Sequence, residues 1–552
     1  MSSVRSRYAW YLRGKGALDE ALQQLEKAGE TFQKSRDQRV EGFGRSAFHA
    51  SPQPFQALVA FELGRVEQAL GVLEAWRGRS LHDLIQAAGD SRRAILRTDL
   101  ARAERSLAAL EKGPAGQNDV DAEGRIEAES ARSELRSKRD LLKEELATPV
   151  AAAYSEPSAL GELRGALNPG ELYVGWTLVD YFGHKSLLAW TLGKTGPPRM
   201  ARIQDGPAVI ERLVEFAEGL GTEAKSVFEP DPKSVLEDAR ALGDVLFALV
   251  GGDGPAPEHL LLVPGELDGL PFEALMPGGE WAGERWTMSY APSATLHALL
   301  RERTSRPAFL GSILAVGDPE LQRRDDAGEL VVAARTGTSL ADLPPVPASG
   351  VEAKAIAAMY PRSLVLTGKD AKEEALSVVG AEHSVIHIAS HALIGGSDPY
   401  GTGIVLSQVD LPDAYELALA GKRPVDGFLS VPEIASEWKI DADLVTLSAC
   451  RSALGPAVRG EGYVGLSSAL FQAGAGAVQA SLWEVQDEPT RLFMEAFYRE
   501  WRAVTKDGPS PRAKSIALRN ARRELRGFEV DGRRPYAHPA FWAAFVLIGN
   551  PD

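Results

Sequence analysis

Cysteine is almost missing: the chain carries a single thiol, Cys450, in 552 residues. One thiol cannot close an internal disulfide, so nothing points to an oxidising compartment. Long apolar runs are missing too. The longest, "AFWAAFVLI" at 540–548, falls far short of the roughly 20 residues that span a bilayer. The opening "MSSVRSRYAWYLRGKG" lacks the apolar stretch of a secretory signal. The expected location is therefore cytoplasmic, with no membrane partner. Positive charge is in deficit: 61 Lys and Arg face 76 Asp and Glu, a net charge of −15. Such a surface repels phosphate backbones at long range, so no direct nucleic-acid partner is expected. The basic stretch "RSKRDLLK" at 136–143 is too short to reverse that. The chain has no Gly-x-x-x-x-Gly-Lys-Ser/Thr loop to cradle a nucleotide phosphate, and no cofactor is implied.

What is there begins with helix. "GALDEALQQLE" (16–26) and "GRVEQALGVLE" (64–74) share one register, with Gly16/Gly64, Ala21/Ala69, Leu22/Leu70, Leu25/Leu73 and Glu26/Glu74 in corresponding places. Apolar and small residues three and four apart make one buried face of an amphipathic helix. The offset of 48 exceeds the 34 of tetratricopeptide (TPR) units, so degenerate TPR-like hairpins are expected over 1–150. "RIEAESARSELRSKRDLLKEEL" (125–146) reads as a charged helix leading out of that region.

From about 150 the texture changes to short β-type runs, among them "GELYVGWTLVD", "KSLLAWTLGK", "HLLLV", "ILAVGD", "SLVLTG", "SVIHIAS", "GIVLS", "LVTLSAC", "GAVQASLWEV" and "FVLIG". Helical stretches such as "AVIERLVEFAEGL" lie between them, and strands alternating with helices imply parallel βαβ packing. A polar, proline-bearing segment at 319–350 divides this half and suits a loop or boundary.

Two of those strands end in reactive side chains, "SVIHIASHALIGG" in His391 and "LVTLSAC" in Cys450. Sites in open parallel sheets form beyond the carboxyl ends of strands. If the two strands are neighbours, thiol and imidazole meet there as a nucleophile with its base. A lone cysteine is otherwise a good small core residue. His383, His387 and His391 are four apart, which invites a metal reading. On a strand, however, four residues span roughly 13 Å, and a zinc–nitrogen bond is about 2 Å, so no metal is expected. His387 reads as a buried structural imidazole. Ser448 lacks a Gly-x-Ser-x-Gly elbow and is not expected to be a nucleophile.

The blocks "HIASHALIGGSDPYGTGIVLS", "LSVPEIA", "ADLVTLSACRSALGPAVRGEGYVGLSSALFQAGAGAVQASLWEVQDEPTRLFMEAFYREW" and "HPAFWAAFVLIGN" resemble the CHAT family, caspase-like cysteine peptidase domains that typically follow TPR helices. Upstream, "HLLLVPGELDGLPFEALMP", "ILAVGDPEL" and "SLVLTGKDAKEEAL" match the pattern in order, so the resemblance covers roughly 155–552. It implies TPR-like helices over 1–150, an inactive caspase-like α/β half over 151–345 and a catalytic half over 346–552. It places the catalytic dyad at His391 and Cys450, and the oxyanion donors at the backbone N–H groups of Cys450 and Ala392. The family usually has glycine where Ala392 stands, and commonly glutamate where Arg451 stands.

"RGEGYVG" (459–465) matches a family Gly-Glu-Gly element, whose Glu461 either faces substrate or braces its loop. "SLWEVQDEPTR" resembles a stretch of separases, distant relatives whose acidic residues near there bind an arginine before the cut. Asp487 matches that pattern or caps the next helix, whereas Arg491 stands where an acid would be expected. The candidate substrate-binding residues are therefore Glu461 and Asp487, which favour a basic residue before the cut, and Arg451 and Arg491, which argue for an acidic or neutral one. A basic residue is expected. The resemblance thus implies an endopeptidase acting on a protein substrate, in relatives tied to prokaryotic defence and signalling, including CRISPR-linked and gasdermin-type cell death. A cytosolic peptidase needs restraint, so an activating protein bound by the N-terminal helices is also expected. The alternative is a catalytically silent TPR/CHAT scaffold for protein–protein interaction.

Overall fold

A computed structural model describes residues 2–37, 51–77, 91–113, 122–147, 160–225, 231, 233–251, 255–303, 311–321, 343–395, 402–422, 425–449, 457–458, 462–463 and 465–552. Most of the 319–350 segment lies outside them. The chain starts with two helical hairpins, α1 (Ser2–Gly14) with α2 (Leu18–Asp37), and α3 (Gln53–Glu62) with α4 (Val66–Trp76). The shared sequence register marks the turn of each hairpin. Gly16 and Gly64 take left-handed conformations, φ +78° and +74°, which cost glycine nothing and other residues much. Each ends the preceding helix in the same way: Ala17 N–H donates to Leu12 O and Arg65 N–H to Ala60 O, the six-residue closure of a glycine C-cap.

Those hairpins do not stand apart from the sheet. Ala21, Leu22 and Leu25 of α2 and Ala69, Leu70 and Leu73 of α4 share one core with Tyr173, Leu188, Trp190, Leu261 and Val263. At the end of α4, Arg77 is buried and donates to Trp176 O and Thr177 Oγ1. A further pair, α5 (Ser91–Lys112) and α6 (Ala122–Ala147), confirms the charged helix read at 125–146. Arg132 of α6 donates through Nε to Leu110 O at the C-terminal end of α5, 3.0 Å. This pair docks far along the chain: Ala109, Leu110 and Ala128 pack with Tyr415 and Ala418.

Sixteen strands follow among the described residues. They are β1 (Glu171–Tyr181), β2 (His184–Gly193), β3 (Arg199–Ile203), β4 (His259–Val263), β5 (Thr287–Tyr290), β6 (Ile313–Pro319), β7 (Ser363–Gly368), β8 (Val385–Ala389), β9 (Ala392–Leu393), β10 (Gly403–Val405), β11 (Phe428–Ser430), β12 (Leu444–Ser448), β13 (Ala457–Val458), β14 (Gly462–Tyr463), β15 (Ala477–Ser481) and β16 (Phe545–Gly549). Eleven form one sheet in the order β3-β2-β1-β4-β5-β16-β15-β12-β8-β6-β7, with β11-β10-β9 and β13-β14 as small separate sheets.

The expected parallel packing holds through β1/β4, β4/β5, β6/β7, β6/β8, β8/β12 and β12/β15. It fails at two places, between β15 and β16 and at one edge, where β1, β2 and β3 form an antiparallel meander. The cause at that edge is local: Tyr181 pairs with His184, leaving only Phe182 and Gly183 to turn, both at positive φ (47° and 81°). Two left-handed residues make the tight hairpin turn whose twist matches the strands. The last strand, β16, returns between β5 and β15, antiparallel to β15. A buried ion pair spans this junction: Arg522 Nη2 donates to Glu273 Oε1 at 3.0 Å and to Phe545 O at 2.7 Å.

Because α4 and the sheet share a core, Leu70→Ala should loosen both. Leu70 is fully buried, and such a deletion costs about 2–5 kcal/mol. Hydrogen exchange should accelerate in β1 and β2 as well as in α4; acceleration confined to the helices would show two independent units.

Candidate active site

The site grows from the ladder of β8 and β12. "VIHIA" is fully buried along β8, flanked by β6 and β12 in parallel register, with Ala389 opposite both Gly317 and Ser448. Two residues beyond Ala389 is His391; two beyond Ser448 is Cys450. The neighbouring strands that the sequence reading required are therefore present. Cys450 itself, with Arg451 and Glu461, lies outside the described residues.

His391 is partly exposed and held on both sides. Its carbonyl accepts Val405 N–H at 2.9 Å, and Ser390 Oγ donates to Val405 O. Its ring Nε2 donates to Pro344 O at 2.7 Å. A carbonyl only accepts, so this contact places a proton on Nε2 and, in the neutral ring, leaves the Nδ1 lone pair free to accept one. Directly after it, Ala392 of β9 pairs with Ile404 of β10 and is not among the positive-φ residues. Alanine thus meets no backbone strain where the family usually has glycine.

His391, Ser448 and Ala449 line a cleft of about 300 Å³. Ser481 Oγ donates to Ala449 O at 2.6 Å, fixing the carbonyl just before Cys450. The far wall includes Trp483, Glu484, Asp487 and Thr490. Trp483 is held by its indole N–H on Ala540 O at 2.8 Å. Among the described lining residues the carboxylates are Glu352, Glu484 and Asp487, and no Lys or Arg is present. Glu484 pairs with Lys225 on the other half of the molecule.

The described substrate candidates separate here. Asp487 lines the cleft, exposed at the first turn of a long helix (Asp487–Val504) whose cap position is Gln486. A carboxylate there meets the positive end of the helix dipole. Arg491 does not line the cleft; on the same helix it ion-pairs with Glu488 at 2.9 Å and Glu495 at 2.6 Å, which raises its pKa. Pro344, Glu352 and Glu484 were not singled out from sequence. Glu484 sat in the quoted "SLWEVQDEPTR" and could have been; a backbone carbonyl such as that of Pro344 has no sequence signal.

The three histidines fall before, within and after β8, so the strand reading that separates them holds. His387 is fully buried between Glu352 Oε1 (2.9 Å from Nε2) and Tyr498 Oη (3.2 Å from Nδ1), as its structural reading required. A larger cleft, about 790 Å³, opens near Gly170, Arg199 and Trp286. It lies at the opposite end of β1 and β4 and carries no His or thiol among its described lining. No helix among the described residues is long and apolar enough to cross a membrane.

A family model described as the CHAT domain matches residues 236–550, more than half of the chain. Tetratricopeptide repeat protein 28 of Mus musculus is 24% identical over 352 residues, 56% of this chain. The Homo sapiens protein of the same name is 23% identical over 350 residues. In both cases the match spans only 13% of the relative's length. Among solved structures, a chain of the Saccharomyces cerevisiae separase–securin complex aligns with 99% of this chain and 40% of its own, at 13% identity and a TM-score of 0.46. The Arg specific cysteine proteinase gingipain R aligns with 62% of this chain and 75% of its own, at 9% identity and a TM-score of 0.33.

Asp487→Ala should change unfolding free energy by less than about 1 kcal/mol, because a first-turn carboxylate at the surface contributes only that through the dipole. Denaturant titration checks this. A larger loss would show that Asp487 holds the fold rather than waiting in the cleft.

Proposed function

The chain belongs to the CHAT domain family, and on that premise we propose that it is a cysteine endopeptidase with Cys450 as nucleophile and His391 as general acid and base. Its fold, helices followed by a caspase-like α/β sheet, is that of the family. One observation carries the reading: His391 and the residue preceding the sole cysteine, Ala449, line the same cleft at the ends of adjacent parallel strands.

With Nε2–H given to Pro344 O, Nδ1 of neutral His391 takes the thiol proton. The thiolate then attacks the scissile carbonyl carbon. Backbone N–H groups of Cys450 and Ala392 receive the oxyanion. On collapse of the tetrahedral adduct, imidazolium gives its proton to the leaving amine, and a thioester remains on Cys450. Water, deprotonated by the same imidazole, hydrolyses that thioester and regenerates the thiol.

The acidic cleft supports a basic residue before the scissile bond, contacted by Asp487 and Glu484. Residues 151–345 serve as the inactive half and 346–552 as the catalytic half, with the N-terminal helices as the binding region for an activating protein. A role as a regulated effector in defence or signalling follows from the family resemblance. The scaffold reading is less favoured, since both reactive residues are retained.

Cys450→Ala should abolish cleavage of the natural substrate in a folded protein, His391→Ala should lower it about a thousandfold or more, and chelators should leave it unchanged. Full activity in Cys450→Ala sinks the mechanism. Peptide-library profiling should find cleavage after Arg or Lys; strict cleavage after Asp would reverse the assignment of the acidic wall.

A further inference from the structure

Beneath the cleft runs a chain of buried polar groups for which the dyad chemistry has no use. His387 of β8 is fully buried and Glu352 is 3% exposed. Nε2 of His387 meets Glu352 Oε1 at 2.9 Å and Nδ1 meets Tyr498 Oη at 3.2 Å. Tyr498 donates to Thr446 Oγ1 at 2.8 Å, and Thr446 donates to Gln479 Oε1 at 3.4 Å. Both ring nitrogens of His387 are thus engaged, one by the Glu352 carboxylate and the other by the Tyr498 hydroxyl, which fixes the ring between two helices. The members come from three adjacent central strands, β8, β12 and β15, and two helices, Pro347–Ala357 and Asp487–Val504.

Burying an ionisable pair is costly, and an apolar pair of the same size is often as stable. A buried pair therefore points to a demand for position. The demand here is visible. Glu352 stands in the second turn of the helix Pro347–Ala357, and the residue three before that helix is Pro344, whose carbonyl holds Nε2–H of His391. The helix start has a second polar anchor: Ser349 Oγ accepts Asp318 N–H at 2.7 Å and donates to Val346 O at 2.7 Å. Ser349 fixes the helix to the end of β6, and Glu352 fixes it to β8, the strand that carries His391.

We propose that Glu352 and His387 are positioning residues for the dyad: their contact locks the helix onto β8 so that the Pro344 carbonyl selects the Nε2–H tautomer and the ring angle of His391. This rests on the peptidase reading of His391 and Cys450. Without the lock, the carbonyl drifts, the imidazole turns, and the thiolate of Cys450 loses the cation that stabilises it. The titratable groups around His387 are Glu352 on one side and Tyr498 on the other, with Tyr360 behind Tyr498 (ring centroids 6.3 Å apart) and Arg502 over Tyr360. Among the described residues, the titratable groups lining the cleft with His391 are Glu352, Asp487 and Glu484, the last paired with Lys225.

The sole cysteine makes a substrate-free test available: the rate of Cys450 alkylation by iodoacetamide as a function of pH, on the full chain. Thiolate is the reacting form, so the profile reports its stabilisation directly. His391→Ala should move the thiolate limb towards the free-thiol value of about 8.5. Glu352→Gln and His387→Gln should move it the same way and slow alkylation at neutral pH by up to about tenfold, the loss of thiolate that a rise of about one unit in the thiol pKa produces. The double variant should be no worse than either single one, because both break the same chain. Unfolding curves identify the variants that remain folded. Should both glutamine variants fail to fold, Tyr498→Phe, which removes one hydroxyl and keeps the ring, carries the test with a smaller shift in the same direction. Folded variants with the wild-type profile overturn the inference while leaving the dyad intact. A wild-type profile in His391→Ala overturns the dyad itself, and the two failures are thereby told apart.

Discussion

The parallel ladder between Val385–Ala389 and Leu444–Ser448 is the constraint on which the rest depends. Its register runs from Leu444 opposite Val385 to Ser448 opposite Ala389. Parallel pairing sends both chains out of the sheet at the same edge. An antiparallel pair would have put the imidazole and the residues approaching the thiol at opposite ends. A one-residue slip would turn the inward side chains outward. Both strands are wholly or almost wholly buried, which parallel strands require because both faces must be covered. The eleven-stranded sheet, its covering helices and the returning strand β16 supply that cover.

Much of this was legible because it is written in side chains. The apolar runs marked the strands, and the lone thiol and His391 stood at two of their ends. The matched Gly16 and Gly64 marked two identical helix ends, later seen as two left-handed turns. What escaped was written in backbone or across distance. Phe182–Gly183 does not have the usual Asn-Gly look of a two-residue turn, so the sequence alone places β1 and β2 with the parallel strands. The Pro344 carbonyl has no residue signature. Glu352 and His387 stand 35 residues apart, and nothing in either local pattern announces the other.

Polar burial recurs where separate pieces of chain must meet. Arg522 with Glu273 joins a late helix to the first half of the sheet. Lys514, fully buried, reaches Asp443 at 2.8 Å just before β12. Arg77 inserts its guanidinium against the backbone of β1. Each of these groups gives up water to make a few directional contacts, and directional contacts resist sliding in a way that apolar ones do not. Apolar area contributes most of the binding between the layers. The ionic contacts select one alignment among the many that apolar area would accept.

That division matters for any control exerted from the N-terminal helices. A partner bound there shifts the site only by the difference in its affinity for two states of the molecule, so the helices must touch something that has two states. The hairpins α1–α4 share a core with the first strands and are ill placed to move alone. The pair α5 and α6 differs. Its apolar contact with Tyr415 and Ala418 is small, and charged surface covers much of the rest of α6. Tyr415 and Ala418 belong to the segment linking β10 to β11, and β10 pairs with β9, which begins at the residue after His391. The same β10 holds the His391 carbonyl through Val405. A small interface at one end and the His391 imidazole at the other make this a continuous route by which a helical partner could disturb the proposed dyad. The core beneath α1–α4 would instead have to be broken before it transmitted anything.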